Sequence, residues 1–212
     1  EIAEDIPVPI RQIYNGIPLP EVQPMGSEPV ALYVGRLKEV KGVAYAFRAF
    51  AIVAKQVPTA RLIVVGDGVE RTNLAGLAKE LGIEKNIEMR GWLSGNDEIY
   101  RLYEQAQVVL VPSVWPENLP TVCIEAMAIG RPVVGTKTGG IPELISDGES
   151  GLVVPMRDSD ALAHAMLELF TNAPMREEMG KSARARAEHF RIERFAAEIL
   201  GVYKEVIGLV ET

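Results

Sequence analysis

Short apolar runs return at regular intervals along this chain, each closed by glycine or proline. They are "VALYVG" from Val30, "RLIVVG" from Arg61, "VVLVP" from Val108, "PVVG" from Pro132 and "GLVVP" from Gly151, with "NIEMRG" from Asn86 as a further strand in which apolar and polar residues alternate. Between them lie segments whose apolar residues recur at helical spacing. These are "VAYAFRAFAIVAKQ", a stretch from about Thr72 to Leu81, "NDEIYRLYEQA" with Asn96 as its N-cap, and an apolar segment that carries Glu125. Strands that are apolar throughout are buried on both faces, and alternation with helices at this interval requires parallel pairing. The pattern predicts an α/β fold, a doubly wound parallel sheet of about six strands. From Asp158 onward only helical spacing remains, so C-terminal helices follow the sheet. Residues 1–28 are Pro-rich and broken and read as an entry or linker segment, leaving 29–212 as one domain.

The bulk properties exclude several classes. With 48% hydrophobic and 24% charged residues, the 212-residue chain has an ordinary globular composition. No apolar run approaches the length of a membrane span. The opening "EIAEDIPVPI" carries acids where a signal peptide has its basic region. A single cysteine, Cys123, allows no internal disulfide, and there is no CxxC pattern for zinc. A net charge of −7 and a pI near 5.0 argue against nucleic acid as a partner, which demands a basic face.

Open α/β sheets bind ligands outside the carboxyl ends of their strands. Here those ends carry "GRLKEVKG", "GDG", "RGWL", "PSVWPENLP" and "TKTGG" in turn. Most of the glycines and unusual polar residues of the core thus fall on one edge. Arg36 and Lys41 lie on the first of these loops, a planar fork of donors and a compact point charge that together suit a diphosphate. Read as two solvated surface cations they would need no ligand. Their place directly after an apolar strand and its closing glycine favours the ligand.

The loop "PENLP" ends in a helix start, with Pro120 expected at the first helical position, where its missing N–H costs nothing. The free amides of Thr121 and Val122 would then face the loop as an anion site. Glu117 and Glu125 need another partner, because a phosphate repels them and a buried carboxylate must be hydrogen-bonded. Adjacent sugar hydroxyls meet that need, as the acid of dinucleotide-binding domains shows on its ribose. Glu125 is accordingly read as the ribose holder, and Glu117 as reaching a second sugar beyond the phosphates. The alternative is an internal ion pair for Glu125 and a solvated loop for Glu117.

Four segments in order carry a resemblance: "IYNGIPLP", "GRLKEVKG", "PENLPTVCIEAMAIGRPVV" and "GGIPELISDGESGLVVP". Together, over about Ile13 to Val206, they resemble the C-terminal, donor-binding domain of the retaining glycosyltransferases of family 4. Those enzymes have the GT-B fold, two facing Rossmann-like domains with the active site between them. The resemblance implies that Arg36 and Lys41 stabilise the leaving nucleoside diphosphate, and that Glu117 and Glu125 are the two acids of a Glu-x7-Glu motif. It implies that backbone amides around Asn118 to Val122, a stretch that includes Leu119, Pro120 and Thr121, contact sugar and phosphates, and that Trp92 and Leu93 cradle the base. The donor would be a UDP-, GDP- or ADP-sugar, with no other cofactor and no metal. The location would be cytoplasmic, with a peripheral membrane contact at the inner face where the acceptor is a lipid.

The departures from that family matter as well. "YNGIPLP" resembles the segment that links the two domains, so the acceptor-binding domain, the expected partner of this one, is not in the sequence. This chain alone should therefore bind nucleotide without transferring sugar. His164 and His189 lie far from the carboxyl-edge loops and read as structural or solvated. The loop reads "ENLP" where many members carry Phe-Gly after the first acid. "VVGDGVERTNL" has a G-x-G but no third glycine, which makes it a tight turn and not a dinucleotide fingerprint. Cys123 reads as a small buried hydrophobe. The run "KSARARAEHFRIER" reads as a solvated helix face that could touch anionic headgroups. A non-catalytic nucleotide-binding module and another GT-B enzyme, an epimerase or a phosphorylase, are the rival assignments.

Overall fold

The computed structural model describes residues 10–208; residues 1–9 and 209–212, which include the start of the entry segment and the end of the predicted domain, lie outside it. Six strands form one sheet: β1 (Val30–Val34), β2 (Arg61–Val65), β3 (Ile87–Gly91), β4 (Val108–Val111), β5 (Val133–Thr136) and β6 (Gly151–Val154). All neighbours pair in parallel, in the order β3-β2-β1-β4-β5-β6. This is the Rossmann arrangement, with the order reversing between β1 and β4. Each of the six segments read as strands in the sequence forms one of them.

The described residues form eight α-helices, α1 (Val43–Gln56), α2 (Arg71–Glu80), α3 (Asn96–Gln105), α4 (Thr121–Ala128), α5 (Ile141–Leu144), α6 (Ser159–Thr171), α7 (Ala173–Ala187) and α8 (Ile192–Val206), of which the first seven contribute to the core around the sheet and α8 buries no residue. Alternation along the strands divides the core in two. Ala31, Tyr33, Leu62, Val64, Val108 and Leu110 face a layer built from α1, α2 and α6. Val30, Leu32, Ile63, Val65, Val109 and Val111 face a layer built from α3, α4, α5 and α7. Both faces are apolar because both are covered, which is why five of the strands read as nearly unbroken hydrophobic runs, while the edge strand β3 alternates Ile87 and Met89 with the charged Glu88 and Arg90. Asp158 and Asn172 cap α6 and α7 with their side-chain oxygens, 2.9 Å from the Ala161 amide and 3.2 Å from the Met175 amide. The third helix begins at Asn96 itself, so the N-cap position falls one residue earlier, on Gly95.

The entry segment is fastened to the domain. The Ile17 amide donates to the Phe190 carbonyl at 2.9 Å, and the Ile192 amide donates to Ile17 at 3.0 Å. Further along, the side chain of Arg131 is buried and donates to five carbonyl oxygens, those of Gln23, Pro24, Tyr103, Glu104 and Ile129. Three of these acceptors lie at the C-terminal ends of α3 and α4, where helix carbonyls lack intrahelical partners and carry partial negative charge. Burial pushes the Arg131 guanidinium down to about 10, which still leaves it charged at neutral pH.

The basic run near the C-terminus departs from the solvated face read in the sequence. Arg184 turns inward to donate to the carbonyl of Ala128 at the end of α4. Arg186 does the same to Leu144 and Glu143 at the end of α5. Ala183 and Ala187, which flank them, are buried in the second core layer. The correction has a simple cause: an arginine beside alanines can terminate a neighbouring helix as well as face water. The remaining cations of the run pair locally, Lys181 with Glu178, Arg191 with Glu188 and Arg194 with Glu198.

Candidate functional site

At the carboxyl edge, where β1 and β4 send their helices to opposite faces, a cleft of about 680 Å³ opens. Its walls include Arg36, Lys41, Trp92, Leu93, Glu117, Leu119, Pro120, Thr121, Val122 and Glu125. Those are the residues singled out in the sequence, except one. Asn118 is exposed and outside the lining; its carbonyl is turned toward Gly140, where an added Cβ would sit 1.9 Å from it.

The helix α4 explains how an acid comes to lie in an apolar segment. Cys123, Ile124, Ala126, Met127 and Ala128 are buried in the core, leaving Thr121, Val122 and Glu125 on the cleft side. Glu125 lies one helical turn beyond Thr121 and Val122 and so shares their side of the helix. Pro120 is the N-cap and not the first helical residue, and no side chain caps the amides that follow. The start of α4 therefore presents uncapped backbone N–H groups next to the cleft.

Glu125 is half-buried, and its Oε2 accepts a hydrogen bond of 2.8 Å from the hydroxyl of Tyr103, a fully buried residue of α3. Burial and the neighbouring carboxylate hold the Tyr103 phenol well above its ordinary range, so it stays protonated and donates. This is a neutral partner, not the internal ion pair that was the alternative for Glu125. Glu117 is not a solvated loop acid either. Its Oε1 lies 2.6 Å from the Nζ of Lys41 and accepts from the Ser113 hydroxyl at 2.6 Å. Arg36 is exposed at the cleft, and its carbonyl is held by the buried Tyr33 hydroxyl at 2.9 Å. Burial, then Glu117, raises the Tyr33 phenol, which likewise remains a donor.

The two loops that carry these charges are joined. The amide of Val114 donates to the carbonyl of Val40 at 2.9 Å. Gly42 has φ 68°, and a Cβ there would stand 1.9 Å from the carbonyl oxygen of Pro112. Only glycine permits both the left-handed backbone and that approach. The Glu117 loop is held from its other side, where the Gly140 amide donates to the Glu117 carbonyl at 2.6 Å.

Three contributors escaped the sequence reading. Ser113 had a usable signal, as a polar residue two positions after β4 and four before Glu117. Tyr33 and Tyr103 had none, since each occupies an apolar-periodic position of its strand or helix. His164 and His189 are both exposed and away from the cleft, as read. The buried thiol of Cys123 is pushed far up by burial and by both acids, which suits its reading as a hydrophobe. Among the described residues there is no group of three or more His, Cys, Asp or Glu side chains placed to hold a metal ion, and no helix long and apolar enough to cross a membrane.

Comparison with known proteins agrees with the resemblance. The chain is 31% identical over 182 residues to the N-acetyl-alpha-D-glucosaminyl L-malate synthase of Bacillus anthracis, covering 85% of this chain and 46% of that protein. It is 32% identical over 188 residues to the D-inositol 3-phosphate glycosyltransferase of Corynebacterium aurimucosum, covering 85% and 44%. It thus spans about half the length of the curated relatives it matches. Among solved structures, the sucrose-phosphate synthase of Thermosynechococcus elongatus superposes with a TM-score of 0.84 at 30% identity, over 94% of this chain and 53% of that one. Anabaena HepE, solved with UDP and glucose, superposes with a TM-score of 0.78 at 26% identity, over 84% and 48%. These structural neighbours are GT-B glycosyltransferases. The family described as glycosyl transferases group 1 matches residues 20–186, most of the chain, and the protein belongs to it.

Proposed function

We propose that this domain holds the nucleotide end of a nucleoside diphosphate sugar for a retaining glycosyl transfer to an acceptor hydroxyl. The observation that carries the reading is convergence: two cations, an uncapped helix start and two half-buried carboxylates line one cleft at the strand-order reversal. Cations and amides complement a diphosphate, and carboxylates with an unused oxygen complement vicinal hydroxyls. The relative solved with UDP and glucose supports a nucleotide-sugar ligand of this class.

In the complete enzyme the acceptor would approach from an N-terminal domain facing this cleft. As the acceptor oxygen attacks from the face the leaving group departs, negative charge grows on the β-phosphate. Arg36, Lys41 and the amides at the start of α4 are aimed at that charge, so they stabilise the transition state more than the ground state. Glu125 holds the ribose and Glu117 the donor sugar. The Trp92–Leu93 wall receives the base, its indole 72% exposed at the cleft margin. Neutralisation of the leaving group in this reading comes from the chain's own cations, with no metal required.

Calorimetric titration of this chain with UDP, GDP and ADP tests the reading. Saturable binding of at least one, without sugar transfer by this chain alone, is the expected result. Failure of all three to bind would overturn it.

A further inference from the structure

The reading of Glu125 as a ribose holder leaves open what holds Glu125. A glutamate on a helix rotates about three bonds, and binding must freeze them at an entropic cost. Here one side of the carboxylate is already committed: Oε2 accepts from the Tyr103 hydroxyl at 2.8 Å, while Oε1 accepts from no described residue. Tyr103 is itself immobile. Its ring is fully buried, and its own carbonyl accepts the Arg131 Nε at 2.9 Å. The phenol thus stands on a rigid mount and reaches from α3 across to α4.

We infer that Tyr103 is a positioning residue: it occupies one oxygen of Glu125 and so fixes the other toward the cleft, ready to accept from a ribose hydroxyl. This inference rests on the nucleotide-binding reading given above. A raised phenol keeps the donor in place over the whole neutral range, so the arrangement does not switch with pH. Tyr103 itself lies outside the cleft lining and touches no ligand; its effect passes through Glu125.

Removing the hydroxyl alone, as Tyr103→Phe, isolates the effect. Affinities for UDP, GDP and ADP and for their 2′,3′-dideoxy forms are measured by calorimetry, with melting temperature as the control for folding. The unaltered chain should prefer its ribonucleotide by about tenfold or more, as expected for a charge-assisted contact to a hydroxyl. In Tyr103→Phe that preference should fall to about threefold or less, while affinity for the dideoxy form stays within about twofold. In the Glu125→Ala background, Tyr103→Phe should change the preference no further.

The outcomes separate the two readings. A ribonucleotide preference that survives Tyr103→Phe overturns the inference, and so does an equal loss for both forms, which marks a structural role only. No preference in the unaltered chain overturns the ribose reading of Glu125 itself, and no binding at all overturns the nucleotide reading beneath it. If Tyr103→Phe does not fold, a crystal structure of the unaltered chain with bound nucleotide decides. The ribose oxygen should sit on the carboxylate oxygen that Tyr103 does not hold; a ribose that displaces the Tyr103 hydroxyl refutes the inference.

Discussion

Lys41 and Glu117 form an ion pair at 2.6 Å, and Ser113 donates to the same carboxylate oxygen. One residue assigned to the phosphates is thus engaged, in the free protein, by one assigned to the sugar. The pair keeps an ammonium and a carboxylate in register where neither is fully solvated. On the proposed function, an incoming diphosphate would compete with Glu117 for Lys41.

That competition gives the first prediction. Glu117→Gln removes a negative charge beside the phosphates and releases Lys41, so affinity for the bare nucleoside diphosphate should rise by about threefold or more. The preference for the sugar-bearing form over the bare diphosphate should fall, since an anionic acceptor for its hydroxyls is gone. Calorimetry on both ligands checks it; weaker binding of the bare diphosphate would contradict the competition.

Arg36 forms no ion pair with any described residue and lines the cleft from an exposed position. A charge-assisted contact is worth roughly 1.5–3 kcal/mol, so Arg36→Ala should weaken nucleoside diphosphate binding by at least about tenfold. Part of the remaining affinity should still decline as salt is raised, through Lys41. Unchanged affinity would remove Arg36 from the site.

The chain has two tryptophans, Trp92 at the cleft and Trp115 outside its lining, 72% and 64% exposed. Nucleotide binding should alter the fluorescence of Trp92 through stacking or covering of its indole. In Trp92→Phe the signal change on titration should vanish while Trp115 still emits. A change that persists in this variant would place the base elsewhere.

Arg131 concerns stability and not binding. Replacing it with methionine keeps much of the apolar stem but takes the guanidinium from five carbonyls; those of Tyr103 and Glu104 keep a backbone donor, and those of Gln23, Pro24 and Ile129 have no other among the described residues. The cost should be roughly 3 kcal/mol or more, a fall in melting temperature of about 6–12 °C for a domain of this size. Arg131→Lys should recover little of it, because a single ammonium cannot span the positions a guanidinium reaches. Thermal unfolding followed by circular dichroism measures both.

Five strands were legible because parallel pairing buries both faces and leaves little polar alternation, and the sixth, β3, because Ile87 and Met89 alternate with charged residues before a closing glycine. The site was legible because ligand contacts in such a sheet gather at one edge, so Arg36, Lys41, Glu117 and Glu125 could be grouped without knowing their distances. What could not be read depends on partners far along the chain. Tyr103 meets Glu125 across two helices, 22 positions apart, and its place in the pattern is that of any core aromatic. Arg184 and Arg186 sit in a run that looks solvent-facing, yet each terminates a different helix. The four-residue α5 has too few positions for helical spacing to register. Asn118 was grouped with its loop neighbours, but one turn of backbone sends it outward.

The tie between Val40 and Val114, with Gly42 pressed on Pro112, makes the two charged loops a single mechanical unit. Lengthening either one would pull its partner's charge away from the phosphates, so this unit resists piecemeal change. On the proposed function, a change in which base the cleft accepts could then arise apart from this unit, in the wall holding Trp92. The proposed hold on the diphosphate and the proposed choice of base would then sit on separate parts of the fold.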